Sequence, residues 1–145
     1  MHEKTFHLGN GSWSAALKIF VHIGDALTGT TTLQALMAEN RKTLLEMGVE
    51  YPSVGTFGSG KGVGHHLLSF SLLPEWPTFA LPAKVTAEKA WGDLGDYLEE
   101  HSEERNCLFL SSEAFSSLDA NGVSCGRERL QGHDVIPIFV YREPA

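Results

Sequence analysis

Lys18-Ile-Phe-Val-His-Ile-Gly-Asp-Ala-Leu-Thr-Gly-Thr-Thr-Thr-Leu-Gln34 is the stretch whose reading decides the fold. Ile19 to Ile23 is an apolar, β-branched run and reads as a buried strand. Gly24 breaks that run, and Gly29 permits a second tight bend. Thr30-Thr31-Thr32 then leads into a helical pattern. Strand, glycine loop and helix N-terminus, in that order, make an anion cradle. The N–H groups of a helix's first turn have no intrahelical partner, and the helix dipole favours negative charge there. The hydroxyls of Thr28, Thr30 and Thr31 add side-chain donors.

Gly24 and Gly29 frame G-x-x-x-x-G, the spacing of a phosphate-binding loop. A nucleoside triphosphatase would carry lysine directly after the second glycine. Thr30 stands there, which sets the ATPase and GTPase readings aside.

Outward from the loop, Leu33, Leu36, Met37, Leu44, Leu45 and Met47 recur near helical spacing, with Glu39, Asn40, Arg41 and Lys42 on the other face. Gly48 ends that helix, and Val49-Glu50-Tyr51 is a short extended piece stopped by Pro52. Five glycines between 55 and 64, with Lys61 among them, make a loop, and loops this long inside a compact domain are often functional. Val63 to Leu73 reads as a short helix containing His65-His66. Thr86 caps a helix whose stripe is Ala87, Ala90, Trp91, Leu94 and Leu98. Cys107 to Leu110 is a second buried strand, and Ser111-Ser-Glu-Ala-Phe115 turns it into a helix. Asn121-Gly122 reads as a turn. Val135 to Tyr141 is a third strand, paired on one side only near Pro137, which lacks an N–H. Residues 1–16 read as a flexible tail or a small strand before the loop, with a turn at Asn10-Gly11.

Strands separated by helices imply a parallel sheet with right-handed crossovers, and ligands bind such sheets at the carboxyl ends of the strands. Those ends carry the glycine loop, Ser111-Ser-Glu113 and Arg142.

The chain of 145 residues is expected to form one domain. A net charge of −7 argues against nucleic-acid binding. No apolar run approaches the ~20 residues that span a bilayer, and the N-terminus lacks a signal-peptide pattern. No membrane association and a cytoplasmic location are therefore the expectations. Cys107 and Cys125 make no disulfide framework, Cys107 reads as a small buried hydrophobe, and no Cys/His spacing suits a metal.

Several side chains carry candidate chemistry. Arg142, at the end of the third strand, suits bidentate phosphate recognition or pairing with Glu143. His65 or His66 can act as a general base, and neighbouring helix positions point about 100° apart, so only one of them faces a site. Glu113 is a helix-terminal acid or a reserve base. His22 reads as a satisfied core histidine, and His133-Asp134 as a loop pair.

These residues together resemble a known family. His22 to Gln34, Gly48-Val-Glu-Tyr-Pro52, His65-His66, Leu110-Ser-Ser-Glu113 and Arg142-Glu-Pro144 occur in the order found in sulfotransferases that use 3′-phosphoadenosine 5′-phosphosulfate. The similarity is to the amino-terminal half of a bacterial sulfotransferase. It implies a three-layer α/β/α architecture of P-loop type with a mostly parallel, incomplete sheet. It also implies 3′-phosphoadenosine 5′-phosphosulfate as co-substrate, with a small-molecule or glycan hydroxyl or amine as acceptor. Gly24, Thr28, Gly29, Thr30 and Thr31 would hold the 5′-phosphosulfate and Arg142 the 3′-phosphate. His65 or His66 would act as base, with Glu113 in reserve. Two departures point to a second expectation, a truncated or degenerate remnant without turnover. Leu27 replaces the family's loop lysine, with Asp25 beside it, and Ala145 falls short of the family's second phosphate-binding element. A homodimer would cover the edge of the last strand.

Overall fold

The computed structural model describes residues 17–24, 29–57, 63–100, 106–141 and 143. Its centre is a four-stranded sheet in the order β2-β3-β1-β4, with every pairing parallel. The strands are β1 (Lys18–Gly24), β2 (Val49–Glu50), β3 (Cys107–Ser111) and β4 (Asp134–Val140). Between them run α1 (Thr30–Glu39), α2 (Arg41–Glu46), α3 (His66–Phe70), α4 (Ala87–Glu100) and α5 (Ala120–Arg129), with 3₁₀ turns at Thr78–Ala83 and Glu113–Ser117. The α/β class with a parallel sheet agrees with the sequence pattern, and β2 joins the three expected strands as a fourth.

Alternation along the strands divides the sheet into two faces. Ile19 and Val21 of β1 and Leu108 and Leu110 of β3 lie on the fully buried face. They pack with Leu68 and Leu72 from the α3 region and with Ala90, Trp91, Leu94 and Leu98 of α4. The stripe expected for α4 is therefore its core face, and Thr86 caps it, with its Oγ1 accepting from Lys89 N at 3.1 Å. The opposite face carries half-buried rings, Phe20 and Phe109 stacking at 6.5 Å, and it leads to His22 and Ser111 at the carboxyl ends.

β4 pairs with β1 alone among the described residues, so Pro137 costs the sheet no interior hydrogen bond. Val135 and Phe139 on this edge strand are exposed, and Val135 and Pro137 line an apolar groove of about 260 Å³ against α5. No described helix is long and apolar enough to cross a membrane.

Three local expectations are corrected. The helix after the loop is two helices, broken at Asn40, whose side chain donates back to Leu36 O at 2.7 Å and so competes with the helical ladder. Asn121-Gly122 is not a turn but the first turn of α5, because Asp119 accepts from Gly122 N at 2.8 Å and nucleates the helix there. Cys107 is half-buried rather than fully buried. The expectations for residues 1–16 fall outside the described residues.

Candidate functional site

The carboxyl ends of β1 and β3 lie side by side, with His22 opposite Ser111 in register. Polar side chains from four parts of the chain meet there. Ser111 Oγ lies 2.8 Å from His22 Nδ1 and receives a hydrogen bond from Gln34 Nε2 of α1 at 3.0 Å. His22, Gln34 and Ser111 are all buried. Burial lowers the His22 pKa against the raising influence of Glu113, so the ring is held neutral.

His65 is locked beneath this cluster. The Ser111 backbone N–H donates to His65 Nδ1 at 3.0 Å, and the ring's other nitrogen, Nε2, lies 2.8 Å from Pro52 O. Because Nδ1 must accept, the ring proton sits on Nε2 and is given to the Pro52 carbonyl. The His65 backbone N also donates to Ser111 O at 2.7 Å. The residue has no exposed surface, and burial, with Arg41 and His66 adding to it, lowers its pKa to about 4. Tyr51 stands edge-on to it at 4.7 Å. Tyr51 Oη donates to Val63 O, and burial pushes the phenol pKa up. The expected catalytic role for His65 is thus corrected: with both ring nitrogens engaged and no access, it joins β3 to the segment after β2 and moves no proton.

His66 faces the other way. Its ring stacks on Phe70 at 5.6 Å, its Nδ1 lies 2.7 Å from Ser112 Oγ, and its Nε2 lies 3.6 Å from Glu113 Oε2. Ser112 Oγ also accepts from Ala114 N at 3.2 Å and lies 2.8 Å from Ser69 Oγ. A hydroxyl has one proton to give. If Ser112 donates to His66 Nδ1, the ring proton sits on Nε2, towards Glu113. If Ser112 donates to Ser69, whose own proton goes to His66 O at 3.1 Å, then His66 donates from Nδ1 and Nε2 keeps a free lone pair. Once Nε2 takes up a proton, Ser112 and Glu113 flank both N–H groups. All three protonation states fit one arrangement of heavy atoms. Burial lowers the His66 pKa and Glu113 opposes it. Ser112 itself is fully buried and capped against Ala114, so it is not a nucleophile despite its serine–histidine contact.

The phosphate-loop residues divide between described and undescribed ones. Gly24 closes β1 beside Val140 and is buried. Gly29 is the N-cap of α1 in the left-handed region, φ 80°, with no side-chain cap and open space where a Cβ would stand. Thr30 is buried and Thr31 exposed on the first turn. Among the described residues, α1 thus opens on an exposed glycine with no side-chain cap. Asp25, Leu27, Thr28, Lys61 and Arg142 lie outside the described residues. Among the described residues, no group of three or more His, Cys, Asp or Glu side chains is arranged to hold a metal ion.

One contact ties the two halves of the site together. A Cβ at Gly64 would stand 2.5 Å from His66 Nε2 and 2.8 Å from Gln34 Oε1. Gln34 of α1 and the Nε2 edge of His66 therefore both pack closely against the Gly64 backbone. Sequence reading takes Ser111 or Ser112 as the cap of the turn that follows β3, and Ser112 is that cap; it assigns no role to Gln34 or Ser69. The available signal was Gln34 standing four residues after Thr30, on the same face of α1.

Compared with protein-family models, with curated proteins and with solved structures, the chain gives no match.

Proposed function

We propose that this chain is a sulfotransferase-like protein that binds 3′-phosphoadenosine 5′-phosphosulfate through the loop after β1 and the first turn of α1. The observation that carries the reading is the juxtaposition at Gly64, where Gln34 of α1 and the Nε2 edge of His66 pack against the same glycine. The strand order supports it as well. β1 is interior, and the chain departs from it towards β2 on one side and returns past it to β4 on the other. Crevices at such reversals bind ligands in α/β sheets. The three-layer P-loop architecture is part of this proposal, as is a second copy of the chain across the β4 edge.

In the proposed reaction, a hydroxyl or amine of a small-molecule or glycan acceptor attacks sulfur in line with the bond to the 5′-phosphate. The acceptor–sulfur bond forms as the sulfur–oxygen bond to phosphate breaks. The acceptor's proton passes to His66 Nε2, and 3′-phosphoadenosine 5′-phosphate leaves with the bond's electron pair. Glu113 stabilises the imidazolium so formed. Gly24, Thr28, Gly29, Thr30 and Thr31 would cradle the phosphosulfate, and Arg142 the 3′-phosphate.

Leu27 and Asp25 favour a second reading, a nucleotide-binding remnant without turnover. Loss of a contact to the developing charge typically costs a factor of about 10²–10³ in rate. Titration with 3′-phosphoadenosine 5′-phosphate, followed by thermal unfolding, tests the binding shared by both readings. Ligand at 100 times its dissociation constant should stabilise the fold by about 2.7 kcal/mol. No shift at millimolar nucleotide would sink both. Leu27→Lys should strengthen the response and raise single-turnover sulfate transfer; binding without transfer in that variant would favour the remnant.

A further inference from the structure

The β4 edge of the sheet carries a hole and a knob side by side. The hole is the apolar groove of about 260 Å³ between β4 and α5, floored by Val21, Ile23, Trp91 and Leu130, with the exposed Val123 and Val135 in its walls. Strand alternation puts Phe139 on the same face of β4 as Val135 and Pro137, which line the groove. Phe139 stands outside the groove of its own chain and is 60% exposed. A cavity of about 150 Å³ already holds a benzene ring, so the groove has room for a phenyl group.

The backbone limits how a partner can approach. Asp134 N donates to Leu17 O at 2.9 Å, so alternate N–H groups from Asp134 onward face β1. Those of Val135 and Phe139 face the free edge, with Pro137 between them. Pro137 has no N–H and interrupts any added strand at the middle of β4. A partner here is held by side chains rather than by an extended ladder. Charge adds to the match. Arg127 lines the groove and is exposed, while Glu143, also exposed, lies beyond Phe139 at the other end of the strand. Neither makes an ion pair among the described residues.

We propose that a second copy of this chain docks on this face, its β4 antiparallel to the first about a two-fold axis at Pro137. Phe139 of each copy then enters the groove of the other, and Glu143 of each meets Arg127 of the other. Such a contact is closed, because one patch serves both copies and no groove is left to propagate a filament. This deepens the second copy proposed above by giving it a surface, and it rests on that part of the reading rather than on the nucleotide.

Sedimentation equilibrium at low salt, from micromolar to sub-millimolar protein, tests this, with nucleotide-induced thermal shift measured in parallel. The wild type should show a reversible monomer–dimer equilibrium. Phe139→Ala empties two grooves per dimer and should weaken it roughly a hundredfold; Val123→Asp, which leaves β4 intact, should weaken it as well. Arg127→Glu and Glu143→Arg should each weaken the dimer roughly two- to thirtyfold, and the double variant should recover it. A wild type that stays monomeric, a dimer indifferent to Phe139→Ala, or a double variant that fails to recover what its two parents lose would each overturn the proposal. So would saturable binding of octanoate, used as a probe, by a protein that remains monomeric, which would assign the groove to a small amphiphile. A dimer lost in Phe139→Ala, with no response to 3′-phosphoadenosine 5′-phosphate in either protein, upholds the interface and removes the nucleotide reading. A monomeric wild type with a nucleotide shift removes the interface only.

Discussion

His65 makes a quantitative prediction about pH. Its ring is neutral in the fold with a pKa of about 4, whereas an unfolded chain gives it the ordinary 6.5. Below pH 6.5 the unfolded state therefore binds a proton that the native state refuses, and stability must fall as the solution is acidified. The contribution is complete above pH 6.5, declines from there, and is spent near pH 4. From those two values, going from pH 7.5 to pH 4.5 removes roughly 2–3 kcal/mol through this residue alone. The control is His65→Asn. Asparagine places a carbonyl oxygen near Nδ1, so it can still accept from Ser111 N, but it cannot titrate. It abandons the Pro52 carbonyl, at a cost of about 1–3 kcal/mol at pH 7.5. Urea unfolding followed by tryptophan fluorescence at both pH values should show the wild type losing roughly 2–3 kcal/mol more than the variant. Carboxylates and the other histidines titrate in both proteins and cancel from the difference. Equal losses in the two proteins would refute the buried neutral ring, and with it the argument that His65 is structural.

Other outcomes follow from the same geometry. Gly64→Ala drives a methyl group against His66 Nε2 and Gln34 Oε1; urea melts should show a loss of about 1–3 kcal/mol, and the His66 imidazole resonances should shift more than those of His22. Asp119→Ala removes the cap of α5 and should cost about 1 kcal/mol in the same assay. Glu113→Gln removes the charge that raises the His66 pKa. An NMR titration of that ring should then move to lower pH, and an unmoved curve would disprove the pairing.

Much of the scaffold is legible in the residues because short-range rules agree there. β1 is a β-branched run bounded by Gly24, the stripe of α4 has one period throughout, and Thr86 announces its start. The failures sit where a single side chain outvotes a pattern. Asn40 interrupts a helix whose apolar spacing continues through it, by turning its amide onto Leu36 O. Asn121-Gly122 has turn composition, yet Asp119 two residues earlier offers its carboxylate to Gly122 N and the helix starts anyway. Gly122 also earns its place by contact, since a Cβ there would stand 2.5 Å from Leu72 O. The polar cluster was the least legible part. Ser111 reaches Gln34 across 77 positions and His22 across 89, and no local periodicity encodes partners so far apart.

The two adjacent histidines differ in the partners the fold gives them. Identical side chains one position apart differ because the backbone puts one under β3 and the other over the end of it. His65 receives a proton from a backbone amide and gives one to a backbone carbonyl, partners with no alternative protonation state, so its tautomer is fixed and its charged form is excluded. His66 meets a hydroxyl and a carboxylate, partners that reverse or absorb a proton, so its tautomer is free to change. Burying Ser69, Ser111, Ser112, Gln34 and His22 at the end of a sheet is expensive unless every polar atom is satisfied, and an apolar plug would serve stability as well. The network holds the His65 ring in one tautomer, while the partners of His66 fit either of its tautomers without any heavy atom moving.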